Sequence, residues 1–240
     1  MNNVKVSAVS YTNTTPFIYG IKHTDLIHKI ELSLDIPSIC AQKLIDNQVD
    51  VGLVPVAALL HIPTYEIISD YCIGATGAVN SVFIFSNKPV NEVKTLRLDL
   101  QSRTSNNLAR VLFKNYWKRS VELVEHADAD AFVEIGDRTF GKKTQYPYVY
   151  DMGEEWMNFT GLPFAFAVWA ANKPLPEDFI QLFNQSMAFG LANRERVLEA
   201  LPKRTDFDLA QYLNHFIDFA LTDKKREAIT LFHQYIKALG

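Results

Sequence analysis

Ser102-Arg103-Thr104-Ser105 stands where an apolar stretch, Thr95–Leu100, gives way to a helical period. A helix N-terminus offers unpaired backbone N–H groups and a partial positive charge. Three hydroxyls and a guanidinium around such a start could cradle a carboxylate or a phosphate. Ser and Thr are also the ordinary N-caps of helices, so capping alone accounts for the same residues. Asn13 poses a similar choice. It lies in Ser10-Tyr11-Thr12-Asn13-Thr14, between an apolar strand and Pro16. It can close an Asx turn, or its amide can both donate to and accept from a ligand. The other polar residues at the exits of apolar runs are Asn80-Ser81, Gly136-Asp137-Arg138 and Thr160-Gly161, with Pro55-Val56 after the third run. Each has a plain alternative: Ser81 can bond its own backbone, and Asp137 can cap a helix or join a surface ion pair.

Such stretches act together only if strands deliver them to one cleft. The patterning predicts strands at Val4–Val9, Lys29–Leu34, Val49–Val56, Glu66–Ile73, Val79–Phe85, Thr95–Leu100, Val121–Val124, Ala131–Ile135, Tyr148–Tyr150 and Phe164–Ala171. Helices are predicted at Thr14–Lys22 and Ile36–Asn47, each with a proline near its start, where proline is tolerated. Ala57–His61 is predicted as a helical turn. Thr104–Trp117 places Leu108, Val111, Leu112 and Tyr116 on one face. Asp178–Leu201, Leu209–Phe219 and Asp223–Leu239 also have the helical period, and no element is assigned between Tyr150 and Phe164. A βαβαβ opening implies a mostly parallel sheet. The pattern then restarts at Thr95. The expectation is an α/β protein of two lobes: a discontinuous one from 1–86 and 170–240, with a helical C-terminal tail, and a smaller inserted one from 87–169. Ligands of open α/β sheets bind beyond the carboxyl ends of strands, here the cleft between lobes.

Composition narrows the partners. The chain has 240 residues, 48% hydrophobic and 21% charged, with net charge −3. These values fit a folded globular chain, and no lysine or arginine block points to nucleic acid or a membrane surface. Cys40 and Cys72 form neither a CxxC pair nor a disulfide framework, so a reduced cytoplasm is the expected location. The start reads as a strand, not a signal peptide. His23, His28, His61, His126, His215 and His233 lack metal-ligand spacing, and there is no GxSxG, GxxxxGKT or GxGxxG. Neither a metal nor a cofactor is expected.

Taken in order, the motifs go further. Ser10-Tyr11-Thr12-Asn13-Thr14-Thr15-Pro16-Phe17, Asp50-Val51-Gly52-Leu53-Val54-Pro55, Gly77-Ala78-Val79-Asn80-Ser81, Ser102-Arg103-Thr104-Ser105, Ile135-Gly136-Asp137 and, after Trp156, Thr160-Gly161-Leu162-Pro163-Phe164-Ala165-Phe166-Ala167-Val168-Trp169-Ala170 resemble the chorismate dehydratase family of the futalosine route to menaquinone. Thr12 stands where that family usually has leucine. The resemblance implies the two-lobed fold of type II periplasmic binding proteins. It implies loss of water from chorismate, giving 3-[(1-carboxyvinyl)oxy]benzoate, without a cofactor. It implies a small dicarboxylate as partner, and a homodimer is left open. Asn13 and Ser81 are then the expected catalytic residues. Tyr11, Thr14, Pro55, Val56, Asn80, Ser102, Arg103, Thr104, Ser105, Gly136, Asp137, Thr160 and Gly161 are the expected substrate-binding residues. The base is expected to be the substrate's own enolpyruvyl carboxylate, with Asp137 the competing candidate. The 1,4-dihydroxy-6-naphthoate synthases of the same route, and a non-catalytic cytosolic binder of small anions, are the alternatives.

Overall fold

The apolar run Val6–Val9 is buried on both faces, which demands cover above and below. In the computed structural model, which describes residues 3–239, that cover comes from helices on a twisted sheet. Strand β1 (Val4–Val9) is followed by helix α1 (Thr15–Lys22), β2 (Ile30–Asp35), α2 (Pro37–Ile45), β3 (Val51–Pro55) and β4 (Glu66–Ala75). A second set follows: β5 (Val82–Ser86), β6 (Thr95–Arg97), α3 (Arg103–Val111), β7 (Glu122–Val124), β8 (Ala131–Ile135), β9 (Tyr148–Asp151) and α4 (Met152–Thr160). The chain then returns through β10 (Phe164–Ala171), α5 (Glu177–Ala192), α6 (Arg194–Ala200), the single turn α7 (Leu209–Gln211), β11 (Asp218–Ala220) and α8 (Asp223–Lys237).

The strands form two sheets, ordered β11-β4-β10-β3-β1-β2 and β7-β6-β8-β5-β9. In the first, β1 pairs in parallel with β2 and β3, whereas β10 runs antiparallel between β3 and β4. Parallel pairing therefore covers only half of this sheet, less than the βαβαβ opening predicts. The inserted strand β10, buried at all eight positions, is the one that returns from the second sheet. The expected lobe boundaries shift for the same reason. β5 was expected within 1–86 but pairs with β8 and β9 of the second sheet, and Phe164–Trp169 was expected within 87–169 but pairs with β3 and β4 of the first. Residues 1, 2 and 240 of those bounds lie outside the described residues.

Three element readings change. Asp178–Leu201 is two helices, broken at Asn193, whose backbone leaves the helical region. Residues 152–160, unassigned from the sequence, form α4, capped by Asp151 and ended by Gly161 in the left-handed region (φ 73°). Leu209–Phe219 does not continue as a helix. It makes the α7 turn, then a wide π turn over Tyr212–Phe216, then strand β11 paired with β4. Ile217, Phe219 and Leu221 are buried and alternate with Asp218 and Ala220, a period-two pattern hidden in the overlap of two apolar runs. Lys225, fully buried on α8, locks β11 in place. Its ammonium donates to the Asp218 and Ala220 carbonyls (2.7 Å each) and pairs with the Asp218 carboxylate at 2.9 Å.

Packing makes the segment after β1 rigid. Phe17 of α1 is fully buried against the rings of Tyr71, Trp169 and Phe219, a burial worth about 2–3 kcal/mol. Helices α1 and α5 touch backbone to backbone. A Cβ on Gly20 would lie 1.9 Å from the Ser186 carbonyl oxygen, and one on Gly190 would lie 1.9 Å from that of Pro16. The turn bearing Asn13 is thus anchored at its helical end. Cys40 and Cys72 are free and buried, and burial pushes both thiols up to about 12.

Candidate active site

Strand ends from both sheets converge on one cavity of about 60 Å³. Its polar lining comes from Tyr11 and Asn13 after β1, Ser81 before β5, Ser102, Thr104 and Ser105 at the start of α3, and Gly136 after β8. Val9, Pro37, Pro55, Ile73, Val79, Val82, Ile135, Phe166 and Ala167 supply apolar walls. Among the described residues that line it, none is Asp, Glu, His, Lys, Arg or Cys.

Each polar group is held by local structure. Asn13 lies in a 3-10 turn, Thr12–Thr14, that leads into α1. Ser102 has extended backbone (φ −131°), and its hydroxyl accepts from the Ser105 N–H at 3.0 Å, a standard N-cap. That leaves the first N–H groups of α3, at Arg103 and Thr104, without intrahelical acceptors. The Thr104 hydroxyl accepts from the Ala57 N–H at 3.1 Å, tying α3 to the turn after β3. Gly136 has φ 64°, and a Cβ there would sit 2.7 Å from the Tyr11 ring. Glycine is therefore needed twice over, for the left-handed backbone and for the close approach of the ring.

A hydrogen-bonded chain crosses the cavity floor. The Thr14 hydroxyl donates to Asn13 Oδ1 (3.2 Å), Asn13 Nδ2 donates to the Tyr212 hydroxyl (3.3 Å), and that hydroxyl donates to Ser81 Oγ (2.8 Å). A second set sits at the rim. Thr12 donates to Asp137 from its N–H (3.0 and 3.1 Å) and its hydroxyl (2.9 Å). Arg138 pairs with buried Asp99 at 2.5 Å, and the Tyr11 hydroxyl donates to Gln101. Burial pushes the Asp137 carboxyl up from its usual range, although the Thr12 donors oppose the shift. Burial also raises the Tyr11 phenol, opposed by the charge of Arg138.

Of the residues expected from the sequence, Tyr11, Asn13, Pro55, Ser81, Ser102, Thr104, Ser105 and Gly136 meet at this cavity. The others stand elsewhere. Thr14 lies behind Asn13. Arg103 does not line the cavity, and its guanidinium donates to Gln42 on α2 (2.9 Å). Asn80 accepts from Lys143 (3.2 Å), and Asp137 is spent on Thr12. Thr160 and Gly161 were expected to leave a strand, but they end α4, where the Thr160 hydroxyl donates to the Trp156 carbonyl. Sequence reasoning missed Tyr212, which no motif marks; its ring is fully buried and follows a helical period that reads as core.

Val56 does not line the cavity, but its carbonyl accepts from His233 Nε2 at 2.8 Å, which braces the turn after Pro55. Burial holds the His233 imidazole below its usual range, and the Val56 carbonyl opposes this. A base with a depressed folded pKa stabilises the fold above its unfolded value, about 6.5, and that contribution is lost as pH falls through the folded value. The melting temperature is expected to drop between pH 7 and pH 5. The drop should be smaller in His233→Gln, whose amide can still donate to Val56. Equal drops would show that His233 is not the titrating group.

The family model described as menaquinone biosynthesis matches residues 4–238. A chorismate dehydratase of Thermus thermophilus is 26% identical over 195 residues, covering 70% of this chain and 72% of that one. A crystal structure from Archaeoglobus fulgidus superposes with a TM-score of 0.74 at 18% identity, covering 98% of this chain and 97% of the other. A Candida albicans protein, described as having the generic periplasmic binding protein fold, superposes at 0.67 with 12% identity, over 100% and 94% of the two chains. The fold is that of the periplasmic binding proteins.

Proposed function

This chain belongs to the menaquinone biosynthesis family, and on that premise we propose that it eliminates water from chorismate to give 3-[(1-carboxyvinyl)oxy]benzoate. The observation that carries the reading is a cavity with many hydrogen-bond donors and no side-chain base. Similarity to the Thermus thermophilus chorismate dehydratase supports it.

Chorismate brings its own base. Its ring proton at C3 is acidified through the C1–C2 double bond by the C1 carboxylate. The enolpyruvyl carboxylate, attached at C3, can take that proton. The C3–H pair enters the ring, the C4–O bond breaks, and hydroxide leaves with a proton as water. Aromatisation drives the step, so the protein must mainly orient and shield. In this reading the free N–H groups of α3, with Ser102, Thr104 and Ser105, bind one carboxylate. Asn13 and Ser81 hold the enolpyruvyl carboxylate or the departing hydroxyl. Asp137 clamps the turn at Thr12 rather than taking the proton. The two sheets are the cores of two lobes, which must part to admit a ring with two carboxylates into so small a space.

Incubating the purified protein with chorismate tests this directly. A product lighter by one water, with benzoate absorbance, is expected. A rise in melting temperature with chorismate but no product would assign a non-catalytic binding protein instead.

A further inference from the structure

We propose that Tyr212, contributed by the C-terminal segment, is a positioning residue that makes Asn13 and Ser81 present hydrogen-bond donors to an anionic group in the cavity. The inference rests on the reading above and names a residue that reading did not require.

A phenol has one hydrogen and can accept as well. The Tyr212 hydrogen goes to Ser81 Oγ at 2.8 Å. The Tyr212 oxygen is then left to accept, and Asn13 Nδ2 meets it at 3.3 Å. The far end of the same amide is set by Thr14, whose hydroxyl donates to Asn13 Oδ1 at 3.2 Å. Asn13 therefore has one amide hydrogen left over, while its oxygen already accepts from Thr14. Ser81 has its own hydrogen left over, while its oxygen already accepts from Tyr212. Both side chains line the cavity, so each has one uncommitted hydrogen to offer a ligand. Donors suit a carboxylate or a departing hydroxide and disfavour a neutral acceptor-poor group.

Tyr212 is built to hold this pose. It is fully buried. Its ring makes edge contacts with Phe140 and Phe207, each at 5.3 Å between centroids. Asn13 follows a strand of the first sheet and Ser81 precedes a strand of the second, so one phenol sets the polarity of donors from both. It opens a π turn, Tyr212–Phe216, a helix form that frequently occurs at functional sites. Burial also keeps the phenol protonated, because it raises the pKa well above the usual value.

The test is Tyr212→Phe, which keeps the ring and removes the hydroxyl, compared with Ser81→Ala and with the double variant. Chorismate turnover, KM and melting temperature are measured for each. Loss of a buried hydrogen bond to a reacting group predicts a kcat lower by about tenfold or more in Tyr212→Phe, with KM changed less. Added to Ser81→Ala, the same change should cost clearly less than it does alone, because one of the two groups it orients is already gone. Full kcat in Tyr212→Phe overturns the proposal. So does a double variant whose losses simply multiply, since Tyr212 would then not act through Ser81 as proposed. If the unaltered chain does not turn over chorismate, the functional reading fails and this inference fails with it; the two failures are told apart by the unaltered chain.

Discussion

Asn13→Ala is expected to lower chorismate turnover by about a hundredfold or more while leaving the fold intact, as removal of one preorganised donor does at other anion-stabilising sites. The amide is buried within the Thr14–Asn13–Tyr212–Ser81 chain, which leaves one of its hydrogens uncommitted, and Asn13 lines the cavity. Alanine removes that donor and breaks the chain. Its fold cost is small by comparison, because Pro16, Phe17 and the α1–α5 contact hold the turn from behind. Asp137→Asn is the necessary counterpart. Its oxygens serve Thr12, not the cavity, so turnover should fall much less than in Asn13→Ala. Steady-state rates with chorismate, paired with chorismate binding by calorimetry, decide between the two. If Asp137→Asn binds chorismate but turns over none, Asp137 is the base and the substrate-assisted route is wrong.

The largest effect on stability is expected at Asp151. Its carboxylate accepts from Val79 N–H at 3.0 Å, Asn80 N–H at 2.7 Å, Gly153 N–H at 2.9 Å and Glu154 N–H at 3.2 Å. One side chain thus caps α4 and fastens the segment that carries Ser81. Asp151→Ala gives up an N-cap of about 1 kcal/mol and strands buried N–H groups at about 1–3 kcal/mol each. For a chain of this size, the sum implies a melting temperature lower by about 10 °C. Asp151→Asn retains one acceptor oxygen and should lose less. A thermal melt of Asp151→Ala within about 2 °C of the unaltered chain, on the same scale, would mean that these four N–H groups find water or other partners.

Much of the site was legible because it lies at strand exits, and strand exits are written locally. β1, β8 and β10 appear in the structure with the bounds their apolar patterns predict. Asn13, Ser81, Ser102, Thr104, Ser105 and Gly136 all follow or precede such runs and reach one cavity. Arg103 stands apart from these: a cation beside a helix start looks like an anion ligand, whereas its guanidinium donates to Gln42 and it does not line the cavity. Thr160-Gly161 ends the nine-residue helix α4, a short segment between β9 and β10 to which the sequence reading assigned no element.

By itself the sequence determined the α/β class, the strand exits and the family motif order, since each depends on residues within a few positions of one another. Only the tertiary structure decided which exits share a cavity, that β10 crosses back between β3 and β4, and that Asp137 is committed to Thr12. It alone placed Tyr212 between Asn13 and Ser81, residues 199 and 131 positions away in the chain. Contacts at that separation follow from sheet order and helix packing. Those arise from the summed burial of many side chains, and no local pattern carries them.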